Sequence, residues 1–265
     1  MRIACCVEYD GTGFQGWQIQ PASRTVQGEV EAALSRVADE PVHTMCAGRT
    51  DAGVHAVGQV FHFDTATLRP DRAWLMGGNT HLPADVAIRW ARPTDDEFHA
   101  RFSATDRLYR YVVAEGAARP ALWRARLAWS AQSLDVRAMR AAAAQLVGEH
   151  DFSAFRTAAC RARHPVRSVH FVTVTRRDDL IAIDVRANAF LHNMVRIIVG
   201  TLLSVGRGDH PPEWIAELIA GRDRTRGGST APAHGLYFLG PRYPAHFRLP
   251  ERAEACPPLA GEFGV

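Results

Sequence analysis

A glycine-flanked acidic loop is the first candidate for chemistry. The segment Ala47-Gly48-Arg49-Thr50-Asp51-Ala52-Gly53-Val54-His55-Ala56 lies between two strand-like stretches and carries one aspartate at its centre. Glycines let the backbone turn tightly, so a single carboxylate can stand clear of its neighbours, and loops on a rigid sheet often carry functional residues. A catalytic role for Asp51 is one interpretation. The alternative is that Asp51 caps a short helical turn over residues 52–56.

A second glycine-rich segment, Gly11-Thr12-Gly13-Phe14-Gln15-Gly16, follows the first strand and matches the G-x-G-x-x-G pattern of dinucleotide sites. That pattern works only when its last glycine opens a helix whose N-terminus faces the pyrophosphate. Here residues 17–21 intervene before any helical periodicity begins, and the acidic residue that the pattern requires further on is misplaced. We therefore expect a loop that ends in an exposed Trp17 and Gln18, and a dinucleotide oxidoreductase stays as an alternative.

Two features of the second half could contact a nucleic acid. Tyr109 and Tyr111 flank Arg110 on a predicted strand, so the two rings point to one side and could stack on bases. Burial in the core is the commoner fate of such rings. Arg196 lies in the most apolar helix of the chain, where an unpaired guanidinium would cost several kcal/mol. It must therefore find an anion or extend to solvent.

The composition narrows the function. All 31 basic residues are arginine, because the 265 residues contain no lysine. Schiff-base, pyridoxal-phosphate and P-loop enzymes depend on a lysine amine and are excluded, whereas the planar guanidinium suits phosphate. Residues 1–100 carry 8 Arg and 13 Asp+Glu, net −5, residues 101–167 carry 12 and 5, net +7, and the rest carry 11 and 10, net +1. The basic middle indicates a face for a polyanion, although arginines scattered over a solvated surface would give the same count.

Other residue types point away from metals and membranes. The five cysteines form no CxxC pair, and the histidines show no spacing typical of a zinc site. A strand-like stretch begins directly after Met1, without the layout of a signal peptide, and no apolar run reaches membrane length. We therefore expect a soluble, cytoplasmic protein with no cofactor, no metal and no membrane partner.

Periodicity predicts an α+β fold built from two similar halves. The strands expected in the first half are residues 3–9, 42–47, 59–63 and 85–91, with helices behind Thr25 and over 70–76. The strands expected in the second half are residues 108–114, 166–175, 180–185 and 235–239, with helices over 134–147, 189–205 and 212–220. Each half then has the ferredoxin-like βαββαβ order, and the two antiparallel sheets would form a central cleft. We predict domains at 1–105 and 106–245 and a loosely held tail at 246–265.

Several of these motifs together resemble the TruA family of tRNA pseudouridine synthases. The resemblance covers about residues 2–243, and several ordered motifs are far more specific than any one alone. The matching segments are Tyr9-Asp10-Gly11-Thr12 with Gly16-Trp17-Gln18, residues 48–55 with Gly58-Gln59-Val60, residues 98–104 (FHARFSA) leading to Tyr109-Arg110-Tyr111, residues 187–196 (ANAFLHNMVR), and residues 231–237 (APAHGLY).

The resemblance implies the pseudouridine synthase fold and a cofactor-free homodimer. It implies isomerisation of uridine to pseudouridine at positions 38, 39 and 40 in the anticodon stem-loop of tRNA. By the same resemblance, Asp51 is the catalytic aspartate, Tyr109 the ring against the uracil, Arg196 the basic partner of the aspartate, and Arg49 a neighbour that helps to hold the flipped nucleotide. The arginines expected to grip the tRNA backbone are Arg101, Arg107, Arg110, Arg161 and Arg163. A non-catalytic RNA-binding protein could share this basic face.

Overall fold

The computed structural model describes residues 1–250, which form two compact units. The first unit contains Met1–Arg107 together with the described residues from Tyr237 onward, and the second contains Leu108–Leu236. Both units combine helices with mostly antiparallel β-sheet, so the predicted α+β class is confirmed. Within residues 1–250, every helix is too short or too polar to span a bilayer.

The first unit follows the order β-α-β-β-α-β. Its elements are β1 (Arg2–Tyr9), α1 (Val26–Ala38), β2 (Met45–Cys46), β3 (His55–Asp64), α2 (Asp71–His81) and β4 (Val86–Thr94). Strand β1 lies between β3 and β4 and pairs antiparallel with both. The two-residue strand β2 pairs antiparallel with β3, so the strand expected over residues 42–47 shrinks to its last part.

Local chemistry explains the placement of α1. The hydroxyl of Thr25 accepts a backbone N–H from the first turn and caps the helix. Val26, Val30 and Leu34 then recur on the buried face, which is the spacing of an amphipathic helix packed on a sheet. The helix ends at Ala38, and the next residue, Asp39, has a φ of 58° in the left-handed region.

The second unit has more elements than the sequence predicts. They are β5 (Asp106–Glu115), β6 (Ala128–Ser130), α3 (Val136–Ala144), β7 (Gly148–Asp151), β8 (Val166–Arg177), β9 (Leu180–Ala187), α4 (Met194–Gly206) and α5 (Trp214–Gly221). Its strands are ordered β5-β9-β8-β7, and β6 pairs in parallel with β5. The expected hairpin is β8–β9, in which Val174 pairs with Ile183.

Two helices of this unit begin later than predicted. A residue with a left-handed backbone conformation precedes one of them, and an aspartate cap precedes the other. The predicted helix over 189–205 begins at Met194, since Asn193 has a left-handed φ of 60°. The predicted helix over 134–147 begins at Val136, where the carboxylate of Asp135 accepts the N–H groups of Arg137 and Ala138.

The last strand, β10 (Leu236–Arg242), pairs in parallel with β3 of the first unit from Tyr237 onward. Tyr237 lies opposite His55, and Phe238 lies opposite Ala56. The strand expected over residues 235–239 therefore forms, and its parallel pairing with β3 is the feature that was not predicted. Strand pairing joins residues far apart in sequence, so local periodicity cannot reveal the partner.

Residues that follow β10 pack on the first unit. The rings of Tyr243 and Phe247 contact the ring of Phe98 edge-on, with centroids 4.9 and 5.2 Å away. The Tyr243 hydroxyl donates to the carbonyl of Ala100 at 2.7 Å. The expectation of a loosely held tail over 246–265 is thus wrong for residues 246–250, and the remainder lies outside the described residues.

Candidate active site

The Asp51 loop, residues 47–54, joins β2 to β3 and is fixed by hydrogen bonds at both ends. At its start, the Ala47 N–H donates to the Val60 carbonyl at 2.8 Å, and the Gln59 side-chain amide bonds Gly48. At its end, the N–H of Val54 donates to the carbonyl of Asp51 at 3.2 Å. This tight turn runs directly into β3, so the helical turn considered for residues 52–56 does not form. The half-buried Asp51 stands at the bend.

The glycine-rich segment after β1 packs directly against the Asp51 loop. A Cβ at Gly11 would lie 2.0 Å from the Val54 carbonyl oxygen, and one at Gly16 would lie 2.5 Å from the Thr50 carbonyl oxygen. Gly16 also has a φ of +88°, which side chains rarely adopt. The glycines therefore serve the close approach of two protein loops. In a dinucleotide site, a pyrophosphate would lie against these glycines. Here the backbone of the Asp51 loop lies there instead, so the structure does not support a dinucleotide oxidoreductase.

Trp17 contributes to this packing from inside the unit. Its side chain is 1% exposed, and its ring lies 6.1 Å from that of Tyr9 and 6.0 Å from that of Phe61. The backbone N–H of Trp17 donates to the carbonyl of Thr50, whose hydroxyl in turn bonds the Tyr9 hydroxyl at 2.7 Å. The prediction that Trp17 is exposed is wrong. Its burial fixes Thr50, the residue immediately before Asp51.

Sequence reasoning did not single out His55, the first residue of β3. The ring is 2% exposed, and its Nδ1 accepts the N–H of Gly11 at 3.0 Å. The same ring stacks on Tyr237 of β10, with centroids 4.8 Å apart. His55 thus ties the Asp51 loop to the glycine-rich segment and to the returning strand. The only sequence signal was its position at the end of the glycine-flanked loop.

In the second unit, the two tyrosines of β5 have different surroundings. Tyr111 is fully buried, and its hydroxyl donates to the carbonyl of Pro232 at 2.8 Å. Burial raises its pKa above the ordinary tyrosine range, against the opposing effect of Arg196. Tyr109 is 8% exposed, and its ring meets Phe190 edge-on at 5.1 Å. A platform of two rings is therefore excluded, because Tyr111 belongs to the core.

Arg196 is half-buried in α4 and its guanidinium is held by two described contacts. Its Nε donates to the carbonyl of Ala231 at 2.7 Å, and its Nη1 donates to the Oδ1 of Asn193 at 2.9 Å. The positive charge adds to burial in lowering the pKa of His234. These bonds orient the guanidinium within an otherwise apolar helix, so its position is set by the fold of the unit.

Two of the arginines expected to grip tRNA have structural partners. Arg110 is 4% exposed and forms a two-point ion pair with Asp184, at 2.7 and 2.8 Å. Its assignment as a backbone contact is wrong, because strand alternation turns it onto a covered face. Arg107 is half-buried and donates to the carbonyls of Ala47, Arg101 and Ala104. These donors hold protein loops together, and a contact of Arg107 with the tRNA backbone stays a prediction.

The other expected RNA contacts lie at the surface. Arg49, Arg101, Arg161 and Arg163 are exposed. Exposed guanidinium groups can reach phosphates without the cost of breaking buried ion pairs. Their contact with RNA stays a prediction.

A buried histidine makes the first unit sensitive to acid. His62 of β3 is 4% exposed, and its Nδ1 accepts the N–H of Ala100 at 3.1 Å. Burial lowers its pKa to about 4, and the charges of Arg2 and His99 add to this effect. In the unfolded chain the imidazole takes up a proton near pH 6.5, whereas the folded protein resists protonation until about pH 4.

The free energy of unfolding should therefore fall as the pH drops from about 6.5 to 4, and His62 alone would account for roughly 3 kcal/mol. We expect His62→Gln to reduce this drop in urea unfolding measured at pH 7, 6, 5 and 4. The exposed His43 offers a matched control, and His43→Gln should leave the drop unchanged. Equal pH profiles for His62→Gln and the parent protein would contradict the assignment.

Comparison with known proteins gives the family. A family model described as tRNA pseudouridine synthase matches residues 5–103 and 142–244. Proteins named tRNA pseudouridine synthase A are similar over nearly the whole chain. The one from Nitrosococcus oceani is 55% identical over 250 residues, 94% of this chain and 96% of its own length. The one from Methylococcus capsulatus is 55% identical over 94% of this chain and 92% of its own length. The one from a strain of Xylella fastidiosa is 54% identical over 94% of this chain and 98% of its own length.

The chain therefore belongs to the tRNA pseudouridine synthase family, and the resemblance found in the sequence is confirmed. The model's two matched blocks include Arg49, Asp51 and Arg196. Residues 104–141, with Tyr109 among them, lie between the blocks.

Proposed function

We propose that this protein converts uridine to pseudouridine at positions 38, 39 and 40 in the anticodon stem-loop of tRNA, with Asp51 as its catalytic carboxylate. The reaction class follows from the family: the protein is a tRNA pseudouridine synthase, an isomerase. The observation that carries the assignment of Asp51 is the construction of its loop. Glycines, Thr50 and His55 fix the backbone on both sides of one half-buried carboxylate.

The proposed chemistry uses only groups of the protein and the nucleoside. The bond between N1 and C1′ breaks, the uracil turns, and a bond forms between C5 and C1′. The proton on C5 leaves and N1 gains one, so nothing is added or lost. A carboxylate can assist this step by attacking C1′ or by removing a proton from the sugar, and both routes stay open for Asp51.

We assign the remaining roles from the family resemblance. A uracil inside a stem is out of reach of any side chain, so the nucleotide must be flipped out at a cost of a few kcal/mol. Tyr109 would stack on the flipped base, which returns about 1–3 kcal/mol. Arg196 would supply positive charge as the basic partner of Asp51, and Arg49 would help to hold the flipped nucleotide. The exposed Arg101, Arg161 and Arg163 would contact the tRNA backbone.

Three further points belong to the same proposal. The two units would each correspond to a ferredoxin-like half of the pseudouridine synthase fold. The working form would be a homodimer, and it would act in the cytoplasm. No metal, nucleotide or redox cofactor enters the proposed reaction, since the isomerisation needs none.

The test is to map the product on defined RNA. Unmodified tRNA transcripts that carry uridine at position 38, 39 or 40 are incubated with the protein, and pseudouridine is located by carbodiimide labelling and primer extension. We expect conversion at each of the three positions and no signal from transcripts with cytidine there. Product only at other positions, or binding of tRNA without any product, would refute the proposed function.

A further inference from the structure

The Phe102 turn, residues 99–103, presents an aromatic ring to solvent. Phe102 is 75% exposed and is the one phenylalanine among the described residues that lies in the exposed class. Full burial of such a side chain stabilises a fold by about 1.5–3 kcal/mol. Because it is exposed, the Phe102 ring contributes little of this stabilisation. A single exposed ring is ordinary on a protein surface, so its meaning depends on how the turn is held.

Hydrogen bonds within the turn fix its backbone. The Nδ1 of His99 accepts the N–H groups of Arg101 and Phe102, at 3.1 and 3.3 Å. The N–H of Ser103 donates to the carbonyl of His99 at 2.8 Å, and the Ser103 hydroxyl accepts the N–H of His99 at 2.9 Å. Burial lowers the pKa of His99, so its ring stays neutral at pH 7 and keeps the lone pair that these bonds require.

Side chains from distant parts of the first unit hold the same turn. His62 accepts the N–H of Ala100 at 3.1 Å, and Tyr243 donates to the Ala100 carbonyl at 2.7 Å. Arg107 donates to the carbonyl of Arg101. The turn is therefore ordered before any ligand arrives, and binding to it loses less conformational entropy than binding to a mobile loop.

The ring itself has a defined environment. The His99 ring lies 4.3 Å from the Phe102 ring at an angle of 33°, which supports it from one side. The guanidinium of Arg101 lies 5.5 Å from the centre of the Phe102 ring. An aromatic face beside a cation is the combination that single-stranded nucleic acids meet in proteins that stack bases and hold phosphates.

The charges around the turn favour an anion and place it beside the Asp51 loop. Burial raises the pKa of the Cys46 thiol to about 12, while the positive charges of Arg49 and Arg101 act to lower it. Arg49 is two residues from Asp51. Arg107 also donates to the carbonyl of Ala47, the first residue of the Asp51 loop, at 3.2 Å.

We propose that Phe102 and Arg101 form a second tRNA contact beside the Asp51 loop, in which the ring stacks on a nucleobase other than the target uracil and the guanidinium meets an adjoining phosphate. Because every base has an aromatic face, this contact positions the RNA without reading its sequence. The inference rests on the proposed function, and Phe102 is a substrate-positioning residue in it.

The test compares three substitutions of Phe102 in the full-length protein. Affinity is measured by filter binding to a tRNA transcript with cytidine at positions 38, 39 and 40, so that no conversion occurs. Phe102→Ala should weaken binding by about 5- to 150-fold, the range that corresponds to loss of one stacked base. Phe102→Tyr should bind within about twofold of the parent, while Phe102→Leu should lose most of the affinity, because it keeps apolar bulk without an aromatic face.

The matched control is Leu68, which is 81% exposed in the same unit, and Leu68→Ala should leave affinity unchanged. All variants should keep the parent melting temperature, since neither side chain is buried. Unchanged affinity of Phe102→Ala would overturn the proposal. A loss of dimer in sedimentation with unchanged tRNA affinity would also overturn it, because the ring would then contact protein. The proposed function is tested separately, by conversion of uridine with the parent protein.

Discussion

Asp51→Asn should abolish pseudouridine formation while leaving tRNA binding intact. The substitution removes the negative charge and the nucleophilic or basic oxygen but keeps the size of the side chain and one carbonyl oxygen. Loss of a central catalytic group typically lowers the rate by more than about a thousandfold. The backbone around Asp51 is fixed by glycines, Thr50 and His55, so the loop should keep its shape. Product formation is measured by primer extension in a single turnover, and affinity by filter binding.

Asp39 provides the matched control for this experiment. It is an exposed aspartate with a left-handed φ of 58°, which asparagine also tolerates. Asp39→Asn should therefore retain full activity and stability. If Asp51→Asn instead retained the parent rate, the chain would have to use another group, and the proposed mechanism would fail. A loss of both binding and folding would show that Asp51 is a structural residue.

Breaking the Arg110–Asp184 pair should have the largest effect on stability. Both side chains are almost fully buried and bonded through two N–H···O contacts. Arg110→Met would leave the Asp184 carboxylate buried without its described cation, which typically costs about 3–5 kcal/mol. The free energy of unfolding is measured by urea titration of the whole chain. The affinity of the folded variant for tRNA should not change, because Arg110 does not reach the surface.

Two further variants distinguish the contribution of the ion pair from the cost of leaving one buried charge alone. The double substitution of Arg110 by Met and Asp184 by Leu should recover part of the loss, since neither charge then remains buried alone. The exposed pair Arg207–Asp209 is the control, and Arg207→Met should cost less than about 1 kcal/mol. A cost below about 1 kcal/mol for Arg110→Met, or a weaker affinity for tRNA at unchanged stability, would restore Arg110 as a surface contact.

Local patterns predicted those elements that depend on neighbours in sequence. The hairpin β8–β9 and the helix α1 follow from alternation, helical spacing and the Thr25 cap. The pairing of β10 with β3 did not follow, because β3 belongs to the other half of the sequence. The late start of α4 also escaped prediction, since it depends on the left-handed conformation of Asn193, which the surrounding apolar pattern conceals.

The candidate site divides in a similar way. Glycine spacing around Asp51 predicted a constrained loop, because glycine is needed wherever two backbones approach closely. The sequence did not predict which of these side chains are buried. Trp17, Arg110 and Tyr111 all lie inside, since alternation along a strand separates two faces without saying which of them another element covers. The contacts of Arg107 with loop carbonyls also escaped prediction, because they depend on how the loops fold.

The pairing of β10 with β3 has a consequence for biosynthesis. The unit that carries Asp51 is built from two separate segments of the sequence, Met1–Arg107 and the described residues from Tyr237 onward. During synthesis Asp51 emerges from the ribosome well before the strand and the aromatic residues that complete its unit. A nascent chain halted before residue 237 would hold the Asp51 loop in an unfinished sheet with an open edge. Completion of the unit that carries Asp51 therefore waits until β10 has been made.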